Sequence, residues 1–197
     1  MGKKHAFDDY RSKRDLKKSP EPAANSKSNR RPIFVVQEHD ASRHHFDFRL
    51  ECNGALKSWA VSKGPSTDPR EKRLAIEVED HPLDYADFEG TIPEGEYGAG
   101  QVIVWDTGRF ENTTEKDGGE IDLAKALKDG HATVCLHGKK LKGGYAITRI
   151  LEGDKPQWLL VKMKDEEADA RRNPVSTEPE SVLSGDTIED LKKEDDS

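Results

Sequence analysis

Apolar and polar residues alternate with a period of two along several short stretches of this 197-residue chain, and the alternation predicts strands. The first stretch is Ile33 to His39 (I-F-V-V-Q-E-H). The second is His44 to Glu51 (H-H-F-D-F-R-L-E), with Phe46, Phe48 and Leu50 on one face and His45, Asp47 and Arg49 on the other. Asn53-Gly54, a turn-forming pair, leads into Ala55 to Val61 and predicts a β-hairpin. After a loop from Gly64-Pro65 to Pro69 comes R-L-A-I-E-V-E-D-H (73–81). There Leu74, Ile76 and Val78 form an expected buried face and Arg73, Glu79 and His81 a polar one. Further strands are expected over 101–106, 108–111, 131–138, 144–150 and 158–164. Residues 121–130 change period: their apolar residues fall at helical spacing and end in Gly, which predicts one short helix. Many short strands with one or two short helices predict a mainly β chain, an antiparallel sheet closed into a compact barrel or folded as a sandwich.

Composition divides the chain into three. With 36% charged and 32% hydrophobic residues, the sequence is too polar to pack throughout. Residues 1–31 carry ten Lys/Arg against four Asp/Glu and end in linker-type residues, an arm expected to be flexible. Residues 32–165 hold the strands and form the expected domain. Residues 166–197 are acidic, contain Asn-Pro and Glu-Pro, and are expected to be disordered. A basic arm on an acidic body suggests an arm that touches phosphate, the plainer alternative being a solvated tail. Cys52 and Cys135 belong to no metal or disulfide pattern, and no secretory or membrane-spanning segment is apparent, so a soluble, cytoplasmic protein is expected.

The candidate chemistry lies on two polar faces. His45 and Asp47 share a strand face, and His39 ends the preceding strand. Imidazole and carboxylate are ordinary ligands of Mn, Zn or Fe(II), so these three form a candidate metal site; a solvated sheet face is the alternative. His44 points with Phe46 and Phe48 and is expected to be structural. On the second face, His81 could contact a phosphate oxygen or act as general acid, with Glu79 orienting its ring. Arg49 and Arg73 have the planar fork suited to phosphate. Tyr85 could hydrogen-bond a phosphate or sugar, or serve as a core aromatic. The glycine-rich loop 92–100 enters a strand rather than a helix, which argues for a barrel corner and against a phosphate loop. Lys139, Lys140 and Lys142 lie at a turn that would suit either nucleic acid or solvent.

These segments together resemble the 3′-phosphoesterase module of bacterial DNA ligase D, in its stand-alone bacterial and archaeal form. The resemblance is carried by F-V-V-Q-E-H-D-A-S-R-H-H-F-D-F-R-L-E, L-K-S-W-A-V-S-K-G-P-S, V-E-D-H-P-L-D-Y-A-D-F-E-G-T-I-P-E-G-E-Y-G-A-G and W-L-L-V-K-M-K-D, and in the arm by Y-R-S-K-R-D-L-K-K-S-P-E-P. It implies a compact β-barrel that heals DNA 3′ ends during end joining. Such an enzyme removes a 3′-terminal ribonucleoside, then the remaining 3′-phosphate, with Mn²⁺ or a similar ion such as Co²⁺ or Zn²⁺. Carried over by position, the resemblance implies His39, His45 and Asp47 as metal ligands, and Arg49, His81 and Arg73 as phosphate contacts. It adds Gln37, Lys63, Glu79 and Tyr85 as pocket residues and Arg14, Asp15 and Glu21 as arm residues needed for activity. Leu16 replaces the usual aromatic and Ser19 the usual Thr.

The expected partners are primer-template 3′ ends of DNA or DNA/RNA, together with separate ligase, polymerase and Ku-type proteins; a monomer with no membrane contact is expected. Attack on phosphorus could come from water or, for a ribonucleoside end, from the neighbouring 2′-hydroxyl. The rival readings are a non-catalytic DNA-end-binding scaffold and a small-molecule metalloenzyme on a cupin-like barrel.

Overall fold

A computed structural model describes residues 7–23 and 32–196. In chain order the strands are β1 (Ile33–Asp40), β2 (His44–Cys52), β3 (Ala55–Val61), β4 (Lys72–Pro82), β5 (Gly90–Ile92), β6 (Gly100–Asn112), the short pair β7 (Glu115–Lys116) and β8 (Gly119–Glu120), β9 (His131–Gly138), β10 (Lys142–Leu151) and β11 (Gln157–Lys162). The helices are α1 (Asp8–Ser12), α2 (Leu123–Asp129), α3 (Pro174–Thr177) and α4 (Ile188–Asp195), with a 3₁₀ turn over Leu83–Asp87. All pairings are antiparallel. The main sheet runs β1-β2-β3-β4-β11-β10-β9-β6-β5, and pairing of β1 with β6 closes eight of these strands into a barrel.

Local chemistry accounts for the corners. Asn53 and Gly54 both adopt positive φ, 52° and 79°, which is the two-residue hairpin turn that matches strand twist. The Asp122 carboxylate accepts from the N–H groups of Ala124 and Lys125 to start α2, and Gly130 ends it at φ 91°. The stretches 101–106 and 108–111 form one strand, β6, rather than two. Gly108 does not break it: a Cβ there would lie 2.1 Å from the His137 carbonyl, so the glycine admits the close approach of β9.

Two apolar layers use opposite faces of the barrel wall. The inner layer contains Phe34, Val36, Phe46, Phe48, Leu50, Trp59, Trp105 and Trp158, with Leu123, Ala126 and Leu127 of α2 added to it. The alternation expected for β2 therefore holds, and its aromatic face is the barrel interior. The outer layer contains Val35, Leu56, Val102 and Val104, covered by Tyr10 of the arm and by Tyr85, Ala86 and Phe88. The polar face of β1 and β2 is thus the floor of a covered cleft rather than a solvated sheet surface.

One irregularity decides which residues reach that cleft. Along β3, Leu56 pairs with His81 and Ser58 with Val78, so two steps on β3 match three on β4. A bulge therefore inserts one extra residue between Val78 and His81. Strict alternation over 73–81 fails at this point. Ala75 faces the barrel core and Leu74 is 43% exposed, the reverse of the expected assignment.

Residues 166–196, expected to be disordered, are instead laid against the barrel. Thr67 Oγ1 donates to the carbonyls of Asp169 and Arg172, Trp105 Nε1 to that of Glu178, and Lys140 Nζ to those of Glu178 and Glu180. Lys139 Nζ holds the Val182 carbonyl, and Lys192 of α4 pairs with Asp40 at 2.6 Å. Lys139 and Lys140, weighed as nucleic-acid contacts, are thus occupied by the chain's own C-terminal segment. Residues 7–23 of the arm, expected to be flexible, are also docked; residues 1–6 and 24–31 lie outside the described residues.

Candidate functional site

β1 and β2 pair in a register that places His39 opposite His45 and Gln37 opposite Asp47. Their outward side chains bring together His39, His45 and Asp47, with one candidate ligand atom from each lying within 4.8 Å of the others. His39 Nδ1 is 3.6 Å and His45 Nε2 3.4 Å from Asp47 Oδ2. The far nitrogen of each ring meets a backbone carbonyl: His39 Nε2 at Gly98 O, 2.7 Å, and His45 Nδ1 at Arg43 O, 2.8 Å. Since a carbonyl only accepts, each far nitrogen carries the hydrogen, and a neutral ring then turns its lone pair toward Asp47. Two lone pairs and a carboxylate facing one point repel unless a cation sits between them. Burial lowers the His45 pKa, yet the Asp47 carboxylate outweighs it and raises the value: the site attracts positive charge. This donor set and arrangement fit a divalent transition metal.

Arg49 stands next to this cluster and is fixed on three sides. Its Nε donates to Gln37 Oε1 (2.8 Å), its Nη1 to Ser58 Oγ (2.8 Å), and its Nη2 lies 3.3 Å from Asp47 Oδ2. Gln37 is itself held, donating to the carbonyls of Tyr85 and Phe88. Burial would raise the Asp47 carboxyl, but Arg49 and the two imidazoles hold it well below the ordinary carboxylate range. It is therefore ionised at neutral pH.

The opposite wall joins β4 to the arm. Arg14 donates from Nε to Glu21 Oε1 (2.7 Å) and from Nη1 to Glu79 Oε1 (3.1 Å), and its Nη2 lies 3.2 Å from His81 Nε2. His81 Nδ1 meets the Glu79 carbonyl at 2.9 Å. Burial, with the guanidinium groups of Arg49 and Arg14, holds His81 well below the usual histidine range. The ring is neutral, with its hydrogen on Nδ1 and an accepting lone pair on Nε2. The Tyr85 hydroxyl donates to Glu21 Oε1 at 3.0 Å, and burial, reinforced by Glu21, pushes its pKa well above the usual range. Ser19 donates to the other Glu21 oxygen at 2.8 Å, so the hydroxyl at this position positions the arm carboxylate.

The result is a cleft of about 300 Å³ between the metal-type cluster and the arm. Arg14 and Arg49 face Glu21, Asp47 and Glu79 across it, one negative charge net with the imidazoles neutral. A divalent cation held there would reverse that sign and leave the cleft with one net positive charge.

The structure brings most of the expected residues to this cleft, but not all. Arg73 is absent from its lining and pairs with Glu71 at 2.7 Å, because the extra residue beyond Val78 puts it on the other face of β4 from His81. Lys63 lies exposed in the turn after β3, away from the lining. Asp15 is also outside; its carboxylate and carbonyl accept from the N–H groups of Lys17, Lys18 and Ser19, and so shape the arm's turn. Gln37 acts through Arg49. His44 bonds Glu38 at 2.7 Å and packs edge-on against Phe46, as its face assignment implies. Sequence reasoning missed Tyr10, Ser58, Tyr97 and Gly98. The glycine-rich loop does turn a corner, with positive φ at Gly95, Gly98 and Gly100, but it also forms part of the cleft wall.

The arm's attachment is pH-dependent. Burial raises Glu79, but its own backbone N–H, Lys13 and Arg14 prevail and lower it. A carboxylate with a depressed folded pKa stabilises above its unfolded value, about 4.3, and the contribution is lost as pH falls through the folded pKa. Hydrogen exchange in residues 7–23, corrected for intrinsic rate, should therefore hold steady from neutral pH to about 5 and accelerate as pH falls further, below the unfolded value of about 4.3, while β1 and β2 stay protected.

Residues 37–149 match the family model of the DNA ligase D 3′-phosphoesterase domain. The chain is 50% identical over 191 residues to the multifunctional non-homologous end joining protein LigD of Pseudomonas aeruginosa, an alignment covering 91% of this chain and 21% of that protein. It is 46% identical over 159 residues to the corresponding DNA repair protein of Mycobacterium tuberculosis (80% and 20%) and 42% identical to that of Mycolicibacterium smegmatis (80% and 20%). The chain thus spans about a fifth of the length of these curated relatives.

Proposed function

Because the chain belongs to the DNA ligase D 3′-phosphoesterase domain family, we propose that it is a metal-dependent phosphoesterase that heals DNA 3′ ends, removing a terminal ribonucleoside and then the 3′-phosphate to leave a 3′-hydroxyl. The observation that carries this reading is the convergence of His39, His45 and Asp47 beside a fixed Arg49 and opposite a neutral His81, all on one cleft. His39, His45 and Asp47 hold Mn²⁺, with Co²⁺ or Zn²⁺ as substitutes. When bound, such an ion polarises a phosphate oxygen and lowers the pKa of its water.

The chain's own residues supply the rest. Arg49 uses three of its five N–H groups on Gln37, Ser58 and Asp47, which fixes the direction of the remaining two toward charge developing on phosphate oxygens. His81 is neutral with its single Nε2 lone pair facing Arg14 Nη2 at 3.2 Å, so it can take a proton from the attacking hydroxyl once Arg14 turns from the ring to the substrate phosphate; an unprotonated Nε2 favours a base over a general acid. Arg14 holds that ring in place and adds positive charge. Glu79, Glu21 and Tyr85 position Arg14, so the arm completes the active site. Arg73, Lys63 and Asp15, which do not line the cleft, play no direct part.

The relatives are multifunctional end-joining proteins, and the 3′-hydroxyl formed here is what a polymerase or ligase extends or seals. Separate ligase, polymerase and Ku-type proteins are the proposed partners, with the chain acting on chromosomal DNA in the cytoplasm. Among the described residues no helix is long and apolar enough to cross a membrane.

The test uses a primer-template ending in one ribonucleotide. With Mn²⁺ the protein should shorten the primer and leave a 3′-hydroxyl; without a divalent ion it should not. His81→Ala should lower the rate by about 10² to 10⁴, the range for a lost general base. Metal-independent, salt-sensitive DNA binding with no shortening would instead identify an end-binding scaffold.

A further inference from the structure

One aromatic at the cleft mouth has no part in the chemistry so far. Tyr97 lines the cleft, yet its residue is 47% exposed and it belongs to neither apolar layer of the fold. Its ring centroid is 5.2 Å from the Arg14 guanidinium carbon and 5.2 Å from Lys13 Nζ. The next residue, Gly98, gives its carbonyl to His39. Tyr97 therefore stands between the metal-type cluster on one side and the Arg14–His81 wall on the other.

The cleft is larger than phosphate chemistry needs. At about 30 Å³ per water, 300 Å³ would hold roughly ten waters, well above the volume of a phosphate group's five heavy atoms. Its charged lining is interrupted by Ala60, Val78 and Ile92, which leaves apolar surface inside. A nucleoside fits that combination of space and surface. The nucleotide upstream of the scissile phosphate is already stacked and paired in the duplex. The nucleoside beyond the phosphorus is the last of its strand, with no chain continuing past it, so it can leave the duplex end and rest on the protein.

Resting on the 3′-end reading above, we infer that Tyr97 is the stacking platform for the base of the departing terminal nucleoside and so sets the preference for a nucleoside-capped over a phosphate-ended 3′ terminus. Aromatic stacking tolerates every base, because each has a π-face. Recognition at Tyr97 is therefore independent of base identity and depends on a base being present. The flanking Lys13 and Arg14 cations lie against the ring and fix its position.

The experiment compares kcat/KM for two primer-templates, one ending in a ribonucleoside and one in a 3′-phosphate, using the parent protein, Tyr97→Ala and Tyr97→Phe. Tyr97→Ala should lower the ratio of the first to the second by about tenfold or more, and Tyr97→Phe should keep the parent ratio. On a third primer ending in an abasic ribose, the parent should lose the same factor and Tyr97→Ala should lose no more, the signature of a coupled pair. An equal loss on both natural ends would mean that Tyr97 only braces the arm, and an unchanged ratio would mean that no base rests on it; either result overturns the inference. A parent protein inactive on both ends would overturn the enzyme reading and this inference with it, so the two failures are distinguishable on one gel.

Discussion

Asp47→Asn is expected to abolish tight Mn²⁺ binding and to lower ribonucleoside removal by about 10³-fold or more, the scale of several kcal/mol of metal-assisted charge stabilisation. The carboxylate faces both candidate ligand nitrogens and the Arg49 guanidinium. An amide keeps the shape and loses the charge. The ion then competes for a site whose nearest formal charge is a buried cation, since Arg49 is only 2% exposed. Stability should fall as well, because breaking a buried pair leaves an uncompensated charge, at a cost of up to about 3–5 kcal/mol reduced here by Gln37 and Ser58. The pH dependence gives the sign. Asp47 has a folded pKa well below its unfolded value of about 3.9, so its contribution is present above that value and disappears as pH falls through the folded pKa. The stability gap between parent and Asp47→Asn should be largest at neutral pH and close in acid. Calorimetric titration with Mn²⁺ measures the first effect and urea melts across pH the second. A variant that binds Mn²⁺ like the parent would refute the assignment of Asp47 as a ligand.

Phe48→Ala should cost the fold about 3–5 kcal/mol in denaturant unfolding. Phe48 is fully buried in the inner layer, with the Trp59 ring centroid 6.2 Å from its own. It is also the residue between Asp47 and Arg49, so its burial inside the barrel is what turns those two outward. Phe48→Leu, which nearly conserves volume, should cost less than about 1.5 kcal/mol. If the two variants unfold at the same denaturant concentration, Phe48 does not anchor this register.

Period-two alternation was enough to read β2, because its apolar face is aromatic throughout and its polar face carries the chemistry. His45, Asp47 and Arg49 follow from that one pattern, and His39 from its place at the end of the preceding strand. Arg73 does not, since alternation carries no sign of an extra residue and the bulge lies between Arg73 and His81. The arm residues Arg14 and Glu21 lie in no periodic stretch. Their role depends on contacts across more than sixty positions, such as Arg14 with Glu79 and Tyr85 with Glu21, and only resemblance pointed to them. Tyr97 lies in a loop whose glycines account for its turn, and no periodicity marks it. The docking of the acidic C-terminal segment is not legible in its composition, because its anchors Lys139, Lys140, Trp105 and Thr67 bond to its backbone carbonyls.

β4 serves both layers of the molecule, and the extra residue past Val78 is where it changes phase. Before that point its odd-numbered positions supply the barrel; after it, they supply the cleft. The spacing between Val78 and His81 is therefore a structural quantity in its own right, separate from the identities of Glu79 and Asp80. Deleting one residue there would restore strict alternation: the imidazole would stay opposite Leu56 on the face of Val78, but the one residue left between them would point to the other face, so Glu79 would no longer reach Arg14 beside it. The length of that two-residue segment is what lets Glu79 and His81 line the same cleft.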